Sequence, residues 1–304
     1  MKEPSVAIIL SNYKGASIKY RNKPILYRCL STVYGRTRYR NYKVIVADDD
    51  SGDGSREMTR RVAPKAIFLL NKNCHSFAKN NNRAIEYVLK RYAPDYFLLL
   101  NYDTIVSDAN WLADIVKIAE SDVNIGAVSP NLLYPNGKNQ GFGFRFYDRF
   151  SLRNLGKPDV SAEEFSKVRD AVILPGVALL VRSSVAGRIG LLDENYIGGY
   201  EDVDYCLRIR DAGMRNVYDG KAEIIHLQGY MRRASSSPEY RQKIAYADRR
   251  NQFYFLRKHI RKAGYARFIA WHIVYFADSI RNGNFRVALK ALMESRRLKL
   301  PQDQ

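Results

Sequence analysis

Four short apolar runs, each closed by a polar cluster, constrain this chain more than any other feature. Val6–Leu10, Lys43–Ala47, Ala66–Leu70 and Tyr96–Leu100 are too short and too rich in branched residues for helices, and read as buried strands. Between them, apolar residues recur at helical spacing. Ile25, Leu26, Cys29, Leu30 and Val33 form one such set, Ala84, Ile85, Val88 and Leu89 a second, and Trp111, Leu112, Ile115, Val116 and Ala119 a third. Strand and helix in alternation predict a mostly parallel sheet with right-handed crossovers. A ligand of such a sheet lies beyond the carboxyl ends of the strands. The residues there are Ser11-Asn12-Tyr13, Asp48–Ser55, Asn71 with Asn73, and Asn101-Tyr102-Asp103. Four strand ends thus converge on one carboxylate-rich edge.

The second half is less regular. Pro130–Asp170 reads as loops with short antiparallel strands, and Val172–Val181 as a strand broken by Pro175-Gly176. Ser184–Ile189 and Glu201–Ala212 read as helices, the second stopped by Gly213. Asn216–Tyr218 and Ala222–His226 read as two strands. From about Pro238 the pattern is helical, and Ala234–Pro238 is the best hinge. This divides the chain into a domain over residues 1–230 and a basic helical region over 231–304.

Charge sharpens that division. The chain carries +19, and the stretch from Gln228 to Gln304 holds 17 basic residues against 5 acidic ones. That region is expected to face something anionic. No apolar run reaches the roughly 18 residues of a membrane span. The three cysteines, Cys29, Cys74 and Cys206, form neither a metal pattern nor a disulfide framework. They suit a reducing compartment, so a cytoplasmic location is expected.

Several residues carry chemistry. Asp48–Ser55 lacks the spacing of a phosphate-binding loop, and its carboxylates would repel phosphate. A strand-end carboxylate suits ribose hydroxyls or a base N–H; an acidic turn held by its own hydrogen bonds is the competing reading. Asp103 ends a buried strand, and Mg²⁺ takes one or two carboxylates plus substrate phosphates. Glu201-Asp202 opens a helix after the sharp Gly198-Gly199 turn. A general base needs such a carboxylate in a cleft, although the helix dipole alone also favours acids there. His226 ends an apolar strand, as a structural histidine or a metal ligand.

Taken in order, these motifs resemble the inverting glycosyltransferases of family 2, which have the GT-A fold, a Rossmann-like α/β sheet flanked by helices. The order runs from Asp48-Asp49 through Asn101-Tyr102-Asp103, then PGVALLVR and GGYEDVDYCLRIRDAG, to His226. The likeness covers about residues 5–260. It is strongest to rhamnosyltransferase-like members, which also have an Arg-Asn pair after the His, here Arg250-Asn251. The resemblance implies a nucleotide site at Ser11, Tyr13, Asp48, Asp49 and Asn82, with Arg250 as a cation for the donor. It implies Mg²⁺ or Mn²⁺ on Asp103 and His226, and Asp202 as base. It puts Gly176, Glu201 and Asp193 on the acceptor side. Lys14 stands where the family usually has Asn, Asp50 where it usually has Gly, and Ala16–Lys23 is longer and more basic than usual.

The resemblance further implies a dTDP- or UDP-sugar donor, with rhamnose the first candidate, and a glycan or lipid-linked acceptor in cell-surface polysaccharide synthesis. The basic aromatic stretch from Arg257 to Phe276 is read as a contact with an anionic membrane surface, a helical cap or a homodimer interface. The rivals are a nucleotidyltransferase, an inactive nucleotide-sugar-binding module and, least favoured, a nucleic-acid-binding protein; no nucleic acid is expected as a partner.

Overall fold

In the computed structural model the apolar runs become strands and the periodic stretches become helices. The structure describes residues 3–72, 74–146, 152–154, 161–228, 237–259, 273, 276–277, 280–281 and 285–300. In chain order the elements are β1 (Val6–Asn12), β2 (Lys19–Tyr20), β3 (Lys23–Pro24), α1 (Ile25–Arg36), β4 (Tyr42–Asp48), α2 (Ser55–Val62), β5 (Ile67–Leu70), α3 (Phe77–Tyr92), β6 (Tyr96–Asn101), β7 (Thr104–Val106), α4 (Trp111–Glu120), β8 (Ile125–Leu133), β9 (Phe144–Phe146), β10 (Leu152–Asn154), α5 (Ala162–Phe165), β11 (Arg169–Ala171), β12 (Ala178–Arg182), α6 (Ser183–Ile189), α7 (Glu201–Asp211) and β13 (Arg215–His226). The helices Pro238–Lys258 and Phe285–Arg297 follow.

Nine strands form one sheet in the order β11-β13-β8-β12-β6-β1-β4-β5, and β7 pairs with the end of β13. The strands β6, β1, β4 and β5 are parallel. Antiparallel β12 joins β6 to β8, which in turn runs parallel to β13. Register decides what meets at the edge. Asn12 lies opposite Asp48, and Ser11 opposite Asn101. His226 lies opposite Thr104, so β7 brings the end of β13 beside Asp103.

Alternation along the strands builds a core on each face. Val6, Ile8 and Leu10 pack with α1 and with Trp111, Leu112 and Ile115 of α4. Ala7 and Ile9 point the other way, toward Ile85 and Val88 of α3 and Tyr205, Cys206 and Ile209 of α7. All three cysteines are buried. Tyr254 and Phe255, from the region the sequence set apart after residue 230, join this second core. Of the hinge expected over Ala234–Pro238, residues 234–236 lie outside the described residues, as does most of the basic aromatic stretch, and Pro238 opens a helix.

Three elements differ from the sequence reading. β8 runs through Pro130, where loops were expected. Pro130 lacks an N–H, and β8 meets β12 only at Ala127 and Val128, so no ladder bond is lost on that side. The two strands expected before His226 are one strand, β13, with an irregularity between Asp219 and Glu223. The strand expected from Val172 forms only from Ala178, past Pro175-Gly176. Among the described residues, no helix is long and apolar enough to cross a membrane.

Candidate active site

The first part of the site is built by side chains that fix one another. Asp48, almost fully buried, accepts from Asn12 Nδ2 at 2.5 Å, from the Ser51 hydroxyl at 2.6 Å and from the Ser51 N–H at 3.0 Å. These bonds set the turn after β4, and Asp48 works there as its anchor. Asp49 is free of that task. Its Oδ1 accepts from the His75 N–H at 3.0 Å. Asp50 follows at φ 49° and Lys14 at φ 54°, in the left-handed region favoured by Gly and tolerated by Asn. The family residues at these two positions therefore match the backbone they must adopt.

Asp53 ties the two loops together. It accepts from Ser55 and from the N–H groups of Ala16 and Ser17. Burial would raise its pKa, but these bonds outweigh burial and hold the carboxyl below its ordinary value. Ser11 Oγ accepts from Asn80 Nδ2 at 2.9 Å, and Asn80 also donates to the Ala47 carbonyl. Tyr13 is 42% exposed, with the Lys14 ammonium 5.3 Å from its ring centre. An exposed ring beside buried polar groups at strand ends suits a stacked base. The long segment after Tyr13 forms the β2–β3 hairpin, its turn made by Arg21 and Asn22 at positive φ.

Asp103 and His226 meet as the sequence predicts. His226 Nε2 lies 3.5 Å from Asp103 Oδ1, and both residues are buried. Gln140 decides the tautomer. Its Nε2 donates to the His226 carbonyl at 2.8 Å and to the Leu133 carbonyl, so its oxygen faces His226 Nδ1 at 2.9 Å. Nδ1 therefore donates to Gln140, and Nε2 is the ring nitrogen left facing Asp103. A carboxylate oxygen and an imidazole nitrogen facing one another are two donors that could share a divalent cation. Among the described residues no cluster of three or more His, Cys, Asp or Glu side chains could hold a metal. Such an ion would take its other ligands from water and diphosphate oxygens. Nothing in the sequence marks Gln140, 86 residues before His226.

Asp202 stands beside this edge. The Asn101 N–H donates to the Val177 carbonyl, and the Gly176 N–H donates to Asp202 Oδ2 at 2.8 Å. Gly176 is required by contact, since a Cβ there would lie 2.9 Å from the Asp202 Cβ. Burial pushes the Asp202 carboxyl above its ordinary value, against the Gly176 and Val203 N–H bonds. Burial and the Asp202 charge push Glu201 up as well. Both carboxyls of the pair are thus raised above their ordinary values.

Asn82, Asp193 and Arg250 gather elsewhere. Asn82 donates to the Leu192 carbonyl and to Glu194, and accepts from the Leu192 N–H. Asp193 accepts from Lys258 Nζ at 2.6 Å and from the Tyr254 hydroxyl. Arg250 donates to the Asn195 carbonyl at 2.7 Å. In this structure Asn82, Asp193 and Arg250 are engaged in bonds within the protein. All three hold the segment that leads into Glu201-Asp202. A linear motif gives a residue's position but not which way its side chain turns.

The chain's fold is that of a GT-A glycosyltransferase. A mannosyltransferase from Pyrobaculum calidifontis, solved with GDP-Man and Mn²⁺, superposes with a TM-score of 0.54 at 19% identity, over 99% of this chain and 77% of that one. The family model for glycosyl transferase family 2 matches residues 17–167. Over those residues the chain belongs to that family, and it is similar to rhamnosyltransferases. It is 28% identical over 214 residues to the rhamnosyltransferase WbbL of Escherichia coli (strain K12), covering 66% of this chain and 78% of WbbL. It is 25% identical over 256 residues to the O-antigen biosynthesis protein RfbC of Myxococcus xanthus, covering 80% of this chain. The chain spans 26% and 19% of the length of the first two curated relatives it matches, RfbC being the second.

Proposed function

We propose that this glycosyltransferase moves rhamnose from a dTDP-sugar to a hydroxyl of a glycan or lipid-linked acceptor, assisted by Mg²⁺ or Mn²⁺, with Asp202 as general base. The observation that carries this is the pairing of Asp103 with Nε2 of His226, the ring oriented by Gln140, beside Asp202. The name of WbbL supports rhamnose, and the name of RfbC supports a surface polysaccharide.

Residues of this chain divide the work. Tyr13 and Asp49 receive the nucleoside, the ring by stacking and the carboxylate by accepting hydrogen bonds. Asp103 and His226 hold the cation, which when bound neutralises charge on the departing diphosphate. Asp202 takes the proton of the acceptor hydroxyl as its oxygen attacks the anomeric carbon in line. One displacement inverts that carbon.

The test is transfer itself. The chain is incubated with Mn²⁺, a lipid-diphosphate-linked glycan and, in turn, dTDP-rhamnose, a UDP-hexose and GDP-mannose. The expected product gains one deoxyhexose with inverted anomeric configuration and releases dTDP. Pyrophosphate release would point to a nucleotidyltransferase, and transfer from another donor would overturn rhamnose.

A further inference from the structure

The turn before the catalytic pair is hard to hold. Gly198, Gly199 and Tyr200 follow one another at φ 62°, 155° and 75°. Such backbone is sparsely populated, and at Tyr200, a residue with a Cβ, it is strained. It persists only if its surroundings enforce it. Gly199 also acts on the pair directly, because its N–H donates to Glu201 Oε2 at 2.7 Å.

What enforces the turn comes from the Pro238–Lys258 helix. Asn251 is fully buried. Its Nδ2 donates to the Ile197 carbonyl at 3.0 Å and to the Gly199 carbonyl at 2.9 Å. Its Oδ1 accepts from the Ile197 N–H at 3.1 Å and from Arg250 at 3.3 Å. One carboxamide thus pairs with Ile197 as a neighbouring strand would, and grips Gly199 as well. Arg250 holds Asn195 two residues earlier.

We propose that Asn251 is a positioning residue for the Glu201–Asp202 pair, acting through the Ile197–Gly199 turn. The contact chain is Asn251 to Gly199, Gly199 to Glu201, and Glu201 to its neighbour Asp202. These demands call for a donor and an acceptor on one short side chain. Asp would aim a second acceptor at two carbonyls, and Ser is too short to reach both. The inference rests on the reading of Asp202 as base, and the test separates the two.

The variants are Asn251→Ser and Asn251→Asp, with Asp202→Asn in parallel. Sites are counted by titration with dTDP and Mn²⁺, so a misfolded fraction does not enter the rate. A displacement of about 1 Å costs on the order of 100-fold. The expected result is a kcat per competent site down about 100-fold for Asn251→Ser and further for Asn251→Asp. The dTDP Kd stays within about twofold, since the turn lies away from the nucleoside end of the site. A per-site kcat within about threefold of the parent, with Asp202→Asn inactive, would overturn the positioning role alone. Full activity in Asp202→Asn would overturn the base assignment instead. Hydrogen exchange on the unaltered chain needs no variant. The Gly199 amide is expected to be protected, and exchange at the rate of an open peptide would overturn the proposal.

Discussion

Asp202→Asn is expected to lower the transfer rate by about 10²–10⁴ while the nucleoside diphosphate still binds. That range is the usual worth of a positioned general base. Asparagine keeps the shape and keeps an oxygen for the Gly176 N–H, but it cannot take a proton. The nucleoside residues lie at the ends of β1 and β4, apart from the Gly176–Asp202 contact. Single-turnover rates set against nucleotide Kd measure the two effects separately. A loss of binding as large as the loss of rate would show Asp202 to be structural. Activity of the parent should also fall with acid, because protonation removes the base.

A second large effect is expected two residues on. Asp204 is fully buried and opposes the Arg208 and Lys258 cations and the His259 ring. Arg208 Nε lies 2.8 Å away, Lys258 Nζ 2.8 Å and His259 Nε2 2.9 Å. Burial by itself would raise its pKa. The bond from His259 and the charges of Arg208 and Lys258 prevail and hold the carboxyl well below the usual carboxylate range. Removing one partner of a buried ion pair typically costs about 3–5 kcal/mol, because the others remain uncompensated. Asp204→Asn should lower stability by about that amount in urea titrations at pH 7. The sign with pH follows from linkage. A depressed carboxylate contributes stability above its unfolded pKa of about 3.9 and loses it as pH falls toward the folded value. The gap between parent and variant should therefore be constant near neutrality and narrow below about pH 4. An unchanged urea midpoint would contradict the arrangement.

These two acids explain what the sequence could and could not disclose. Asp202 and Asp204 sit in one motif, and nothing in the letters separates a base from an anchor. The structure separates them by direction, one toward Gly176 and the other toward Lys258 and His259. The strands β1, β4 and β6 were legible because buried parallel strands are continuous apolar runs; β5, read as buried, is the half-exposed edge strand. Asp103 and His226 were legible as strand-end residues, and the pairing of β7 with β13 brings them together. Gln140 was not, because its role depends on a contact across 86 residues. Asn82, Asp193 and Arg250 carried the right family pattern, yet in this structure Asn82 and Arg250 bond to Leu192 and Asn195, and Asp193 to Tyr254. Side-chain direction in loops is set by tertiary contacts, which periodicity does not encode.

The central claim is a metal-assisted nucleotide-sugar site on Asp103 and His226. Thermal unfolding with UDP, dTDP and GDP, each with and without Mn²⁺, tests it on the parent and on Asp103→Asn. A ligand at ~100 times its Kd adds ~2.7 kcal/mol, which is a clear rise in melting temperature. The prediction is that dTDP stabilises the parent, that Mn²⁺ enlarges the effect, and that Asp103→Asn loses the enlargement. Stabilisation that ignores Mn²⁺ in both proteins, or no response to any nucleotide, would contradict it.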